Sequence, residues 1–545
     1  MRIPLLLYAL AFVVRGALVV LYPDPAYPDS YYYVDVARSL AAGHGLSVDF
    51  VWIFAEVGGR LPADPVLPVP SNAHWLPLAS FVQAPFVAVL GPTAIASALP
   101  MILVGSLAAP LTWVIARDIG VSRHVQLGAG VLAAIPAAGT VFMAQPENFA
   151  IFQPLVAAIL WLTARGLRGD QRAYVLAGLL VGVASIARND ASLLGAAVGL
   201  VFVIDRLRAW RGHRPASLSL AAAVGCFGLY LLVVGPWWAR QLLEFGSISP
   251  TASSGTALWL TEYRQWNSIT AETSFQAFMA QGWGAILTSR FLGLVAAAAN
   301  FAVIIASVVL VPLIVIGIWL RRRSDDYLPW ILYTAILFAG AALIFPLHVP
   351  GGAFIHSAVG LGPHAYILAL EAVAVGIAWM ARRRPAWDAS VATPLFTWFV
   401  VVFVAASAFL YAPVAHAAWA EEREPRVALV TELDRLGIGP DDRLMTVDAA
   451  GFKYWTGRGG VVSPDDPMET IRAVAAGYGI RWLVLERTAI VRALVPVLVE
   501  DVRPSWIGPA VFSVPSAAAD GTPSLAVYPV CLAAGDDRCD GTGSP

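Results

Sequence analysis

Eleven apolar stretches divide this chain, at about 3–22, 93–116, 124–144, 149–165, 173–188, 191–205, 216–238, 286–320, 327–346, 364–381 and 391–413. A helix needs about 20 apolar residues to cross a hydrocarbon core. In lipid every backbone N–H and C=O must be satisfied within the segment, which leaves helices as the outcome for stretches of this length. Composition agrees, with 58% hydrophobic and 13% charged residues over 545 positions, where soluble domains carry about 25% charged. The expected fold class is mainly α, a polytopic transmembrane helical bundle of about 11 spans followed by a soluble α/β domain. The formal net charge of -1 gives no electrostatic case for nucleic acid.

Basic residues orient the spans, because short cytoplasmic loops are rich in arginine and lysine. Arg2, Arg117/Arg123, Arg165/Arg168/Arg172, Arg206/Arg208/Arg211/Arg214, Arg321–Arg323 and Arg382–Arg384 fall on every second connection. They share one side, read as the cytoplasm, with the N-terminus inside and the C-terminus outside. Pro77 to Leu90 is apolar but only about 14 residues long and interrupted by proline. It reads as re-entrant or interfacial, within a first outer loop from 23 to about 92. The stretch 286–320 is long enough to be kinked or to begin outside the bilayer. The first span carries Arg15 and lacks a small-residue cleavage site after it, so a signal peptide is rejected. An arginine inside a span is expensive and functional by default, although snorkelling or pairing with a neighbouring helix would also account for it.

The outer connections hold the chemistry-bearing residues. Residues 145–148 (Gln-Pro-Glu-Asn) carry Glu147, residues 188–190 are Arg-Asn-Asp, and a long loop at 239–285 follows Trp237-Trp238-Ala239-Arg240. A Gly/Pro-rich loop at 347–363 carries His348 and His356. The domains expected are a membrane part, 1–413, and an extracytoplasmic α/β part, 414–545. In the latter, 421–436 reads as a helix, 443–447 and 481–485 as strands, and Asp466 as the N-cap of a helix ending at Gly477. No phosphate-loop spacing occurs there. Cys531 and Cys539 are close in the tail and would be bridged in an oxidising compartment.

After the first span, Pro28–Leu40 reads as a short helix with Asp29 as N-cap, ended by Gly43 and Gly45. Tyr32, Tyr33, Val36, Ala37 and Leu40 share one face, and the expected position of the helix is the lipid interface. Asp29 is either a cap or an acidic group poised for chemistry on a lipid-linked substrate.

Asp29, Tyr31–Tyr33, Ala37 and Gly43-His44-Gly45 resemble the first outer loop of the GT-C glycosyltransferases, in particular the group of protein O-mannosyltransferases and lipid A aminoarabinose transferases. The resemblance extends to His74-Trp75-Leu76-Pro77, to Pro236-Trp237-Trp238-Ala239-Arg240 with Phe245-Gly246, and to Phe354-Ile355-His356-Ser357. It implies a GT-C bundle that transfers a sugar from a polyprenyl-phosphate-linked donor to an envelope glycan, lipid or protein acceptor, with inversion. The implied roles are Asp29 as base or acceptor-orienting group, Glu147 as its assistant, and Tyr32, Arg188, Asp190, Arg240, His348 and His356 in substrate binding. Arginine suits a lipid phosphate by its bidentate geometry. Each of these residues also has a plainer reading: Glu147 as a loop charge, Arg188 and Asp190 as a local ion pair, Arg240 as an interfacial anchor beside tryptophan.

No Asp-x-Asp occurs in the first loop, and no cofactor is expected; a divalent metal is not supported. The Trp-Trp-Asp-Tyr-Gly motif of oligosaccharyltransferases is absent, since Phe452-Lys453-Tyr454-Trp455 does not match it. The rival reading is a polytopic transporter or lipid flippase, which calls for several ionisable residues at mid-membrane and paired broken spans.

Overall fold

The structure is a computed structural model that describes residues 2–212, 214–248, 256–345, 347, 353–384, 386–518, 520–532 and 536–539. The chain divides into two compact units. The first comprises Met1–Asp24, Leu76–Arg240 and Trp283–Ala415 and is helical. The second comprises Pro25–Trp75, Gln241–Gly282 and His416–Pro545.

Among the described residues seven helices are long and apolar enough to cross a membrane: Arg2–Leu21, Ala94–Ile119, Phe149–Leu167, Leu220–Phe245, Gly282–Ile305, Phe354–Arg383 and Ala389–Val430. A bent pair, Arg123–Ala134 with Ala137–Ala144, makes an eighth if counted as one span. The expected eleven are not reached on this measure. Gln171–Ser185 and Leu328–Ile344 are shorter apolar helices, and Ala191–Trp210 takes up Asp205, Arg206 and Arg208 before it ends. The expected kink in 286–320 is present: a π-helical turn at Phe301–Ile305 separates Gly282–Asn300 from Leu310–Arg321. The segment Leu78–Leu90 is a 13-residue helix with Pro85 inside it.

Close helix approach in this unit rests on small residues. Leu7, Ala11, Ala109, Trp113, Ala134, Ile135 and Ala408 form one cluster. A Cβ at Gly178 would run into the backbone carbonyl of Cys226. Several arginines of the connections expected inside are paired with acids: Arg168 with Asp118, Arg208 and Arg214 with Asp325, and Arg321 with Glu371.

The second unit is built on a six-stranded sheet. Its strands are β1 (Phe50–Val51), β2 (Leu444–Thr446), β3 (Gly460–Val462), β4 (Trp482–Glu486), β5 (Phe512–Val514) and β6 (Leu525–Pro529), in spatial order β1-β3-β2-β4-β6-β5. β1, β3, β2 and β4 are parallel, and β6 runs antiparallel to both β4 and β5. The edge strand β1 comes from the loop after the first span, so a segment near residue 50 completes a sheet whose other strands lie beyond residue 440. Its register Phe50↔Gly460 and Val51↔Val461 needs glycine at 459, where a Cβ would strike the Asp49 carbonyl.

Leu429, Leu433, Leu444, Phe452, Trp482, Val484 and Leu525 form the core of this unit. The helix expected at 421–436 is not separate: its first part, to Val430, is the end of the unbroken Ala389–Val430 helix, and 431–437 are turns. Near its end Arg426, 5% exposed, donates to both carboxylate oxygens of Glu486 (2.7 and 2.9 Å) and to Asp448 (2.6 Å). Asp466 is not the cap of Met468–Gly477; Pro467 holds that position. Its carboxylate instead accepts hydrogen bonds from Ser268, Thr270 and the Ile269 amide. Cys531 and Cys539 are disulfide-bonded.

Candidate functional site

In the membrane unit two turns and two short helices meet. The Leu78 amide donates to Ile186 O (3.0 Å), which fixes the start of the 78–90 helix against the 186–190 turn. Gln83, buried on that helix, donates through Nε2 to Pro146 O (2.8 Å). Asn148 Nδ2 donates to Ala187 O (2.8 Å). The Gln-Pro-Glu-Asn turn is therefore gripped from both sides, and Glu147 is held fully buried within it.

Glu147 Oε1 accepts from the Phe149 amide (3.2 Å), and its Oε2 lies 3.4 Å from His356 Nδ1. The His356 ring is stacked on Phe149 with centroids 4.0 Å apart and planes 15° off parallel. His356 is only 5% exposed and sits on the Ala353–Ala358 helix. A carboxylate oxygen and an imidazole nitrogen this close could both contribute to a divalent cation site.

Arg188 Nε donates to Asp190 Oδ1 (2.9 Å) and to Ser357 Oγ (3.3 Å), the residue after His356. Ser357 in turn donates to the other oxygen of Asp190. The Arg188 guanidinium also lies 5.9 Å over the Phe152 ring. Asp190 thus fixes the direction of the cation and offsets its charge. Four of the expected site residues, Glu147, Arg188, Asp190 and His356, are brought together here from sequence positions more than 200 residues apart. Sequence reasoning missed Gln83 and Asn148; a glutamine on an apolar helix was the available signal for Gln83.

Arg240 lies near the C-terminal end of the Leu220–Phe245 helix, its guanidinium 5.0 Å over the Trp237 ring. That contact is the plainer of its two expected roles. His348 lies outside the described residues.

In the second unit, Pro28–Ala41 is helical, but its N-cap is Tyr27 and Pro28 opens it. Asp29 is therefore a first-turn residue and not the cap. Its Oδ1 accepts from Trp75 Nε1 at 3.0 Å. The expected interfacial position also fails for the tyrosines, since Tyr31, Tyr32 and Tyr33 are 3%, 0% and 3% exposed. They face protein. Tyr31 is 5.2 Å from the Tyr454 ring and accepts from Trp455 Nε1 (3.2 Å), both on the Ala449–Thr456 helix. The Tyr32 ring lies 4.5 Å from Trp75, tilted 33° to it, and its hydroxyl accepts from the Asn72 amide (2.8 Å). Tyr32 is thus a core residue that supports Trp75, the partner of Asp29.

Two further acids lie on or beside this helix, Asp35 within it. Glu56, 5% exposed, accepts from the Trp52 amide (2.8 Å) and faces the Tyr32 hydroxyl. Burial pushes its carboxyl up to about 8, against the pull of those donors. Burial also holds Asp35 well above the carboxylate range, opposed by Arg38 and Lys453. Neither acid was singled out from sequence, because nothing local distinguishes Glu56 from a solvated loop charge.

The helical bundle, broken spans and appended mixed sheet define a polytopic membrane protein of GT-C fold. Two structures of ArnT from Cupriavidus metallidurans share that fold over nearly the whole chain. In the apo state the TM-score is 0.52 at 14% identity, covering 96% of this chain and 97% of that one. Bound to undecaprenyl phosphate the TM-score is 0.52 at 13% identity, with the same coverages of 96% and 97%. Residues 70–237 match the family model described as dolichyl-phosphate-mannose-protein mannosyltransferase. A comparison with curated proteins gives no match. The chain has the GT-C fold and resembles the O-mannosyltransferase and aminoarabinose-transferase group, as its first-loop motifs implied.

Proposed function

We propose that this protein is a membrane glycosyltransferase that moves a sugar from a polyprenyl-phosphate carrier to an acceptor on the extracytoplasmic face. The observation that carries the reading is the buried Glu147–His356 pair beside the Arg188–Asp190–Ser357 network, all on loop ends of a GT-C bundle. The family match over 70–237 and the fold shared with an undecaprenyl-phosphate-binding enzyme support the carrier class. Nothing in them favours a transporter.

In the proposed step an acceptor hydroxyl attacks the anomeric carbon and gives its proton to Asp29. The bond from that carbon to the phosphate oxygen breaks, and polyprenyl phosphate leaves. A positioned base of this kind contributes about 10²–10⁴-fold. Arg188, pre-oriented by Asp190, and Arg240 bind the phosphate, whose charge grows as the bond breaks. His356 and His348 bind sugar or phosphate, Glu147 assists the base, and Tyr32 acts through Trp75. A single displacement inverts the sugar carbon, whether hexosyl or pentosyl. No step is assigned to a metal.

The arginine pattern supports an N-terminus in the cytoplasm of a bacterial inner membrane, and the Cys531–Cys539 disulfide supports an extracytoplasmic second unit. That unit is assigned recognition of the acceptor. The test uses purified protein in lipid nanodiscs with radiolabelled polyprenyl-phosphate sugars and lipid extracts, the products being read by mass spectrometry. Wild type consumes a donor, and Asp29→Asn abolishes transfer while donor binding persists. Full activity in that variant removes Asp29 from the mechanism. Solute flux with no turnover of any donor favours the transporter.

A further inference from the structure

Arg15 is fully buried in the first helix, and no carboxylate pairs with it among the described residues. Its Nε and Nη1 make no hydrogen bond. Burying a charge without a partner is costly, so a bland core residue would serve packing better. What Arg15 does contact is specific. Nη2 donates to Ala133 O (3.4 Å) and to Gln153 Oε1 (3.3 Å).

These two acceptors lie on either side of one excursion of the chain. The Arg123–Ala134 helix ends one residue before Ile135, and Pro136 has no N–H with which to continue it. In an unbroken helix Ala133 O would accept from the amide of residue 137. That amide bonds instead to Ile135 O (2.9 Å), and Ala137 takes a left-handed φ of 53°. Arg15 supplies the donor that the break removes. Gln153 lies in the second turn of Phe149–Leu167, where the chain has re-entered a helix. The guanidinium therefore pins the segment from 134 to 152 at both ends, and Glu147 is carried inside it. Gly105 makes room for this reach, since a Cβ there would come within 2.6 Å of Arg15 Nη1.

The geometry points to Arg15 as a positioning residue that clamps the segment bearing Glu147 and so sets the Glu147–His356 pair. The role in chemistry rests on the glycosyltransferase reading; the clamp itself does not. Arg15→Met separates the two and also separates positioning from plain stability. Removing a buried unpaired charge for a shape-compatible apolar chain leaves the unfolding temperature equal or higher. Amide exchange across 137–148 nevertheless rises roughly tenfold, with the 156–166 amides unchanged. Turnover falls roughly 100-fold at an unchanged donor KM, as a misplacement near 1 Å would cause. Arg15→Lys restores part of both. Gln153→Leu, which keeps the charge and removes one acceptor, gives the same exchange pattern and serves where Arg15→Met does not accumulate.

Exchange is measured in nanodiscs without donor, so it decides the clamp even if wild type turns over nothing. Unchanged exchange in both variants overturns the clamp. Faster exchange with wild-type kcat overturns its part in the reaction, and absence of wild-type turnover counts against the glycosyltransferase reading alone.

Discussion

Glu56→Gln tests the electrostatics of the second unit without any assumption about activity. The native carboxyl sits at about 8 where a free glutamate sits at 4.5, chiefly because it is buried. Between those values the folded state holds a proton that the unfolded chain has released. Stability from this group is therefore fully present below pH 4.5 and is lost as pH rises toward 8. At about 1.4 kcal/mol per tenfold change in proton affinity, the interval from 4.5 to about 8 corresponds to on the order of 5 kcal/mol. Tyr32 and Tyr478 face Glu56, and burial raises both, so neither ionises in this range. Glutamine keeps the hydrogen bond from the Trp52 amide and carries no charge. The assay is thermal unfolding by tryptophan fluorescence in detergent or nanodiscs, from pH 5 to pH 9. Asp35 titrates with the same sign in both proteins and cancels in their difference. The variant gains on wild type steadily from pH 5 to about pH 8, then runs parallel. Curves parallel throughout would refute the argument, because they would mean that Glu56 takes up no proton on folding.

Two packing predictions accompany it. Gly178→Ala forces a methyl into the Cys226 carbonyl and destabilises the membrane unit by about 1–3 kcal/mol, read as a lower unfolding temperature in detergent; no change would mean the helices can separate freely there. Arg426→Met strands Asp448 and Glu486 in the core and costs about 3–5 kcal/mol, measured by the same unfolding, whereas removing all three charges together costs far less.

The apolar stretches and the arginine pattern were enough to read a polytopic helical protein, and the kink in 286–320 was visible as excess length. Span count was less legible. Hydropathy sees that 124–144 is apolar but not that Pro136 bends it by 52°, and it joins segments that the chain breaks. Caps were read in the right neighbourhood and on the wrong residue at both Asp29 and Asp466. Pro28 is the first residue of one helix and Pro467 the cap of the other, and in each case the carboxylate is drawn to a partner distant in sequence.

The Pro28–Ala41 helix shows where sequence reading stops. Its period, its proline start and its glycine end are local, and local chemistry determined that it is a helix. Tyrosines on an apolar face beside a span suit lipid and protein equally, because both are dry. Only the tertiary structure decided for protein, by placing Tyr454 and Trp455 against Tyr31 across more than 400 residues of chain. The same holds for Glu147, Arg188 and His356, each a separate loop residue in the sequence. What joins the turns of Glu147 and Arg188 is a pair of backbone acceptors, Pro146 O and Ala187 O, that Gln83 and Asn148 reach. Any residue can present such a carbonyl, so no sequence pattern marks it.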